Sequence, residues 1–344
     1  MKKKLLVFFV LCFSLSAAQE AGFNDLIKMG IKYHDRGDYE EAVKYYDMAL
    51  MQDPDNALAL LEKSFSLNEA GSYGKALEAC QKVIDARKPA RYHLEMAYLY
   101  CGTSYDGLRN EKKSIEMYNK AAKINPANHS TFFNKGITYL NYSNKTEAEK
   151  AFKQALILSP AHPSSLYRLA YLAYGNGEKI PAILGFCKFL VVESTSKRSI
   201  GAAETLLMLL NSGVKKSQDG MNLTVVSPGK GHEDFTVVDA ALVMSNSVQT
   251  SGEKLPNLTG IPSEYDLLIT QLKIVSTALK IDKDGRKDFY RPHFTSYLSK
   301  MGETELKVLA HIILAANNNE NSVRWIRLQQ EQVDAFYEFS NKNF

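Results

Sequence analysis

The chain has 344 residues, 45% of them hydrophobic and 23% charged, with a formal net charge of +4. This length and balance suit two or three globular domains and exclude a mostly disordered chain, a collagen-like chain and a multi-span membrane protein. No lysine or arginine stripe occurs, and residues 197–344 hold 17 basic and 17 acidic side chains, which argues against nucleic acid or an anionic membrane as partner.

The first predicted element is a secretory signal. Lys2, Lys3 and Lys4 precede an apolar run from Leu5 to Leu15, and Ser16-Ala17-Ala18 offers the small residues that a signal peptidase reads. The run is too short for a spanning helix. Removal of residues 1–18 lowers the formal charge from +4 to +1. Leu11 stands where lipidation at Cys12 would need a small residue. The expectation is an exported protein, periplasmic, secreted or envelope-associated, with no transmembrane segment after cleavage.

From residue 23 the chain repeats. Pro54 and Pro126 lie 72 residues apart, and Pro126 and Pro160 lie 34 apart. Counting back from each gives blocks 23–56, 57–90, 95–128, 129–162 and 163–196, with Arg91 to Leu94 inserted between the second and third. Small residues recur in phase at Gly30, Ser64, Gly102, Gly136 and Ala170, and again at Ala42, Ala76, Ala148 and Ala182. Tyr33, Tyr46, Tyr105, Tyr118, Tyr139 and Phe152 fill the positions between them. In the first block Leu26, Met29, Gly30, Tyr33, Gly37-Asp38-Tyr39, Ala42, Tyr46, Ala49 and Pro54 form one pattern, which the other blocks follow with substitutions such as Cys80 and Ser114. This pattern resembles the tetratricopeptide repeat (TPR) over residues 23–196.

The resemblance implies an all-α fold: a right-handed solenoid of helical hairpins, stable through stacking of short helices. It also implies a concave groove lined by the first helix of each repeat. The inward slots are Ile27, Ile31 and His34; Leu58, Leu61, Phe65 and Asn68; Met96, Leu99, Thr103 and Asp106; Phe133, Ile137 and Leu140; and Tyr167, Tyr171 and Tyr174. Family members that clamp the C-terminal carboxylate of chaperones carry Lys and Asn at such slots. Ile27, Ile31, Leu61 and Phe65 argue against that here, because a carboxylate needs charged or N–H donors. The groove reads as apolar and aromatic, fit for an apolar or amphipathic segment. The same stripe also fits a groove covered by the protein's own C-terminal region.

Residues 197–212 extend the solenoid as a helix, 213–220 read as a polar linker, and 221–344 as a mostly helical domain with no recognised family. Within it, Met221 to Ser227 alternates like a strand, and Gly252 to Ser263 is loop. Helices are predicted at Phe235–Ser247, Tyr265–Ile281, Phe289–Lys300, Glu303–Asn317 and Asn321–Asn341. Trp325 is placed in the core. After signal removal Cys80, Cys101 and Cys187 remain, without CxxC spacing. Cys80 and Cys101 fit small buried hydrophobes or a bridge between neighbouring helices.

Catalytic and ligand motifs are absent. Residues 228–234 (PGKGHED) lack P-loop spacing, and Asp282-Lys283-Asp284-Gly285 lacks a calcium loop's flanking carboxylates. No GxSxG or HExxH occurs. The sequons at Asn144 and Asn222 carry little weight beside a signal of bacterial type. The reading is therefore an exported, non-enzymatic scaffold in cell-envelope assembly or maintenance, without cofactor or metal, that binds a protein or peptide in the groove. Two alternatives stand beside it. One is an enzyme whose site, in residues 221–344, gathers His232, Asp282 or His293. The other is a self-associating assembly subunit.

Overall fold

A computed structural model describes residues 22–216, 223–225, 235–251, 263–281 and 289–343. The signal segment, His232 and Asp282 lie outside them. The chain divides into two compact units, residues up to Ala151 and residues from Phe152 onward, and the division falls inside a helix.

The first unit is a series of antiparallel hairpins: α1 (Phe23–Asp35) with α2 (Tyr39–Gln52), α3 (Ala57–Glu69) with α4 (Tyr73–Asp85), α5 (Arg91–Gly107) with α6 (Glu111–Ile124), then α7 (His129–Asn141) and the start of α8 (Lys145–Leu158). Each hairpin turn closes in the same way. The N–H of Asp38, Ser72, Asn110 and Asn144 donates to the carbonyl five residues earlier, on Tyr33, Leu67, Tyr105 and Tyr139. That bond requires a left-handed residue just before the donor. Gly37 and Gly71 supply it, whereas Arg109 and Ser143 adopt φ 59° and 61° at a steric cost. Asn56, Asn110 and Asn128 then cap α3, α6 and α7 by accepting backbone N–H bonds.

In the first and third hairpins a glycine faces a tyrosine. A Cβ on Gly30 would lie 2.3 Å from the Tyr46 ring, and one on Gly102 would lie 2.6 Å from Tyr118. Both rings are buried. The second hairpin replaces this pair: Ser64 stands for the glycine and donates to the Ala76 carbonyl at 2.9 Å, and Cys80 stands for the tyrosine. Cys80 is disulfide-bonded to Cys101 of α5, across a Cα–Cα distance of 5.9 Å. Of the two readings of these cysteines, the bridge is the one formed. The four inserted residues lengthen α5 to 17 residues, where α1, α3 and α7 have 13. Directly after the added turn, buried Glu95 accepts from Asn125 at 3.0 Å and Asn128 at 2.6 Å, tying α5 to the turn after α6.

The second unit contains α9 (Pro163–Gly175), α10 (Lys179–Val192) and α11 (Lys197–Leu210), then β1 (Val214–Lys216) paired antiparallel with β2 (Leu223–Val225), Val214 opposite Val225. It continues through α12 (Thr236–Ser251), α13 (Glu264–Ile281), a π turn at Arg291–Thr295, α14 (Ser296–Lys300), α15 (Glu303–Ala316), α16 (Glu320–Leu328) and α17 (Gln330–Asn343). β1 thus forms inside the stretch expected to be a linker. Two predicted helices are also broken: Pro292 sits in the π turn, and Gln329 (φ −113°, ψ 40°) separates α16 from α17.

α10 is the core of this unit. Every residue from Ile180 to Val191 is buried, because α9 and α11 cover part of it and α12, the π turn and α15 cover the rest. A polar knot fastens α12 and α13 to the end of α11. Asn246 donates to the Leu210 carbonyl at 2.7 Å, and Gln271 donates to the Asn246 and Asn211 side chains at 3.0 and 2.9 Å. Beside it, buried Asp239 pairs with Lys179 at 2.8 Å.

Candidate protein-interaction face

The first helices of the hairpins, α1, α3, α5 and α7, carry the predicted groove slots of the first unit. Ile27, Leu61 and Leu99 are only 5%, 3% and 4% exposed and belong to the hydrophobic clusters of their hairpins. They are interior side chains and line no groove. Ile31 and Leu58 are exposed, and Phe65, Met96, Phe133, Ile137 and Leu140 are half-buried. The apolar stripe is therefore narrower than the slot pattern implies.

A mixed aromatic and polar ladder lies across α1, α3, α5 and α7. The His34 ring packs 4.4 Å from Phe65, which stacks on Tyr100 at 5.3 Å with planes 5° apart. His34 Nδ1 lies 2.8 Å from the Ser66 hydroxyl. Asn68 donates to the Tyr100 carbonyl at 3.2 Å and accepts from Ser104 at 2.8 Å. Asn141 donates to Asp106 at 2.7 Å, and the Thr103 and Tyr118 hydroxyls lie 3.1 Å apart. Each link joins neighbouring helices, so the rings are held in fixed register and meet a ligand with little entropy left to lose.

The electrostatics of this face disfavour anions. Burial lifts the Glu62 carboxyl above its ordinary range, and the Asp35 carboxylate adds to the shift. Burial also raises the Tyr100 phenol, with Glu62 contributing next. Asp106 is raised by burial against the hydrogen bond from Asn141. Burial thus makes negative charge costly at Glu62 and Asp106, and a further carboxylate buried beside them meets the same cost.

Tyr100, Ser66 and Ser104 were missed by reading slots one at a time. A signal for the serines exists: Ser66, Ser104 and Thr138 are hydroxyls at one position of three successive blocks, and all three are buried.

In the second unit Tyr167 and Tyr171 of α9 are half-buried and Tyr174 is exposed. Tyr171 sits edge-on to Phe186 at 4.9 Å, and Tyr167 edge-on to Phe189 at 5.2 Å, under the Arg198 guanidinium. The C-terminal helices pack on α10 and α11.

Other chemistry-bearing groups in this unit are spread out. His293 packs at a tilt on Phe289 at 4.6 Å, and its carbonyl accepts from Lys188 at 3.0 Å. Burial pulls Lys188 down to about 8 and, with Lys188 beside it, lowers His293. His311 lies between Tyr265 (4.5 Å) and Trp325 (3.9 Å), and burial takes it down to about 4. Trp325 is half-buried, a stacking partner more than a core residue. Burial pushes the Cys187 thiol up to about 12. Among the described residues no group of three His, Cys, Asp or Glu side chains could hold a metal ion, and no helix is long and apolar enough to cross a membrane.

Comparison with known proteins agrees with the repeat phase. Tetratricopeptide-repeat profiles match residues 27–91 and 133–179, and a second such profile matches 101–128. No family profile matches the C-terminal region. The Hsp70-Hsp90 organising protein of Plasmodium falciparum is 31% identical over 105 residues, 30% of this chain and 40% of that protein. Stress-induced-phosphoprotein 1 of Caenorhabditis elegans is 26% identical over 127 residues, 37% of this chain and 38% of that protein. The chain thus spans well under half the length of these curated relatives. Among solved structures, a thermophilic TPR protein of Thermus thermophilus aligns with 54% of this chain and all of its own, at 23% identity and a TM-score of 0.48. The N-terminal and middle segment of the chain, residues 27–91, 101–128 and 133–179, is built of tetratricopeptide repeats, a fold that serves protein–protein interaction.

Proposed function

We propose that this chain is an exported, non-enzymatic scaffold that holds an apolar or amphipathic segment of a partner protein against the first helices of its repeats, in assembly or maintenance of the cell envelope. The observation that carries the reading is the His34–Phe65–Tyr100 stack, an aromatic surface fixed in register by hydrogen bonds between helices. Aromatic side chains of this kind bring large contact area at low entropic cost. The raised Glu62 and Asp106 carboxyls favour an uncharged or basic segment over a C-terminal carboxylate. The Cys80–Cys101 bond suits an oxidising compartment, as export through the predicted signal would provide. The curated relative from Plasmodium is named as an organiser of two other proteins, which agrees with a scaffold role.

The test is capture of partners from the native envelope fraction by the full mature chain, by Phe65→Glu and by Tyr171→Glu. The reading expects partners to be lost with helicity intact. If both variants capture every partner that the unaltered chain captures, the face is not the binding surface.

A further inference from the structure

A cleft of about 570 Å³ opens in the second unit, between the turn that leads into α11 and the helices α15, α16 and α17. Its floor is apolar, made by Ile200, Ile312, Ala315, Ile326 and Val333. Volume and lining fall in the range of sites that take a ligand or a short peptide. The break at Gln329 creates it. A helix continuous from Asn321 to Asn341 would pass this place as one rod, whereas the broken pair sets Ile326 and Val333 against the same space. No proline or glycine forces that break. A departure from local preference of this sort gathers at functional places.

The charged side chains that line the cleft are both cationic. Lys197 and Arg327 line it, and no Asp or Glu does. Neither cation has an ion-pair partner among the described residues. Of the acidic residues next to lining positions in the chain, Glu193 is engaged by Arg198 through two hydrogen bonds at 2.6 and 2.5 Å, and Glu331, Asp334 and Glu338 of α17 are exposed and outside the lining. An apolar floor with two uncompensated cations selects an apolar ligand that brings its own carboxylates.

We propose that this cleft docks a short segment of a partner protein in which apolar side chains are flanked by Asp or Glu. It is a second docking surface, of opposite charge preference to the repeat face, and it stands whether or not the repeat face binds. Lys197 and Arg327 pair with the flanking carboxylates, and Ile200, Ile326 and Val333 receive the apolar side chains. A basic flank is rejected by like charge.

Fluorescence anisotropy on the full chain tests this with short synthetic peptides of Leu, Ile and Ala flanked by Glu, and the same peptides flanked by Lys. The Glu-flanked set is expected to bind about 10-fold tighter or more, and rising salt should erode the difference. The double variant Lys197→Glu with Arg327→Glu should reverse the preference. Ala315→Trp should fill the cleft and abolish binding of both sets, with the circular dichroism of each variant unchanged. Equal affinity for the two flanks, no binding of either, or indifference to the double variant would overturn the proposal. So would two further results: a concentration-dependent dimer abolished by Ala315→Trp, which would give the cleft to a second copy, or binding of an acyl carboxylate but of neither peptide.

Discussion

The two units bury their helices by different rules. In the first, the hairpins solve one packing problem with recurring parts: a small residue on the first helix, a tyrosine over it in two of them, and a left-handed turn residue. In the second, α10 occupies the place of an outer repeat helix but is buried all round, because helices from the C-terminal region cover the side that a repeat would leave in water. A repeat needs only its neighbours, so its code is periodic; a helix enclosed by five elements needs particular partners, and its code is not. The two proposed surfaces divide the same way. The first unit presents a face read from phase, and the second a cleft set by one unheralded helix break.

The sharpest way to break the comparison is at the enclosed helix. Asp239→Ala leaves the partly buried Lys179 with the Ser212 carbonyl but no counter-charge and should destabilise the second unit by about 3–5 kcal/mol. Thermal unfolding should then separate into two transitions, the first unit retaining its own. A single unshifted transition would mean that the Lys179–Asp239 pair holds nothing. Next in size is the disulfide. Cys80→Ala with Cys101→Ala should cost about 3 kcal/mol, read by denaturant unfolding, since it releases a cross-link between successive hairpins.

A smaller effect distinguishes the units by pH. The folded protein holds His311 uncharged down to about 4, whereas the unfolded chain takes up that proton near the ordinary histidine value of about 6.5. The unfolded state therefore binds more protons between those values, and stability falls as pH drops through the window. His311→Phe should remove on the order of 1–2 kcal/mol of that slope, allowing for partial exposure of the ring. An unchanged slope would show that the Tyr265–Trp325 sandwich does not hold the ring neutral. Smallest is the turn. Ser143→Gly relieves a left-handed residue and should stabilise the first unit by about 1 kcal/mol, whereas Gly37→Ser should cost a similar amount.

Legibility followed the same division. The repeat phase, the glycine–tyrosine contacts and the hairpin turns could be read in the sequence because each recurs several times. Cys80 could be seen to depart from its slot, but only geometry shows Cys101 placed to meet it. At the candidate face, slot reading placed Phe65, Met96 and Phe133 at the surface. It also placed Ile27, Leu61 and Leu99 there, although each is buried in a hydrophobic cluster of its hairpin. The Gln329 break was illegible because nothing in its residue types forbids helix; the two halves, α16 and α17, each pack on α15. The β1–β2 pair was half legible, since a strand needs a partner and Val214–Lys216 resembles a polar linker.

The most direct test of the central claim is site-specific photocrosslinking in the native envelope, with the probe at position 65 on α3 and, as comparison, at position 51 on α2, where Met51 is 76% exposed. The account predicts crosslinks to another protein from position 65 and none from the more exposed position 51. Crosslinks from position 51 with none from position 65 would place the partner on the outer helices and contradict it.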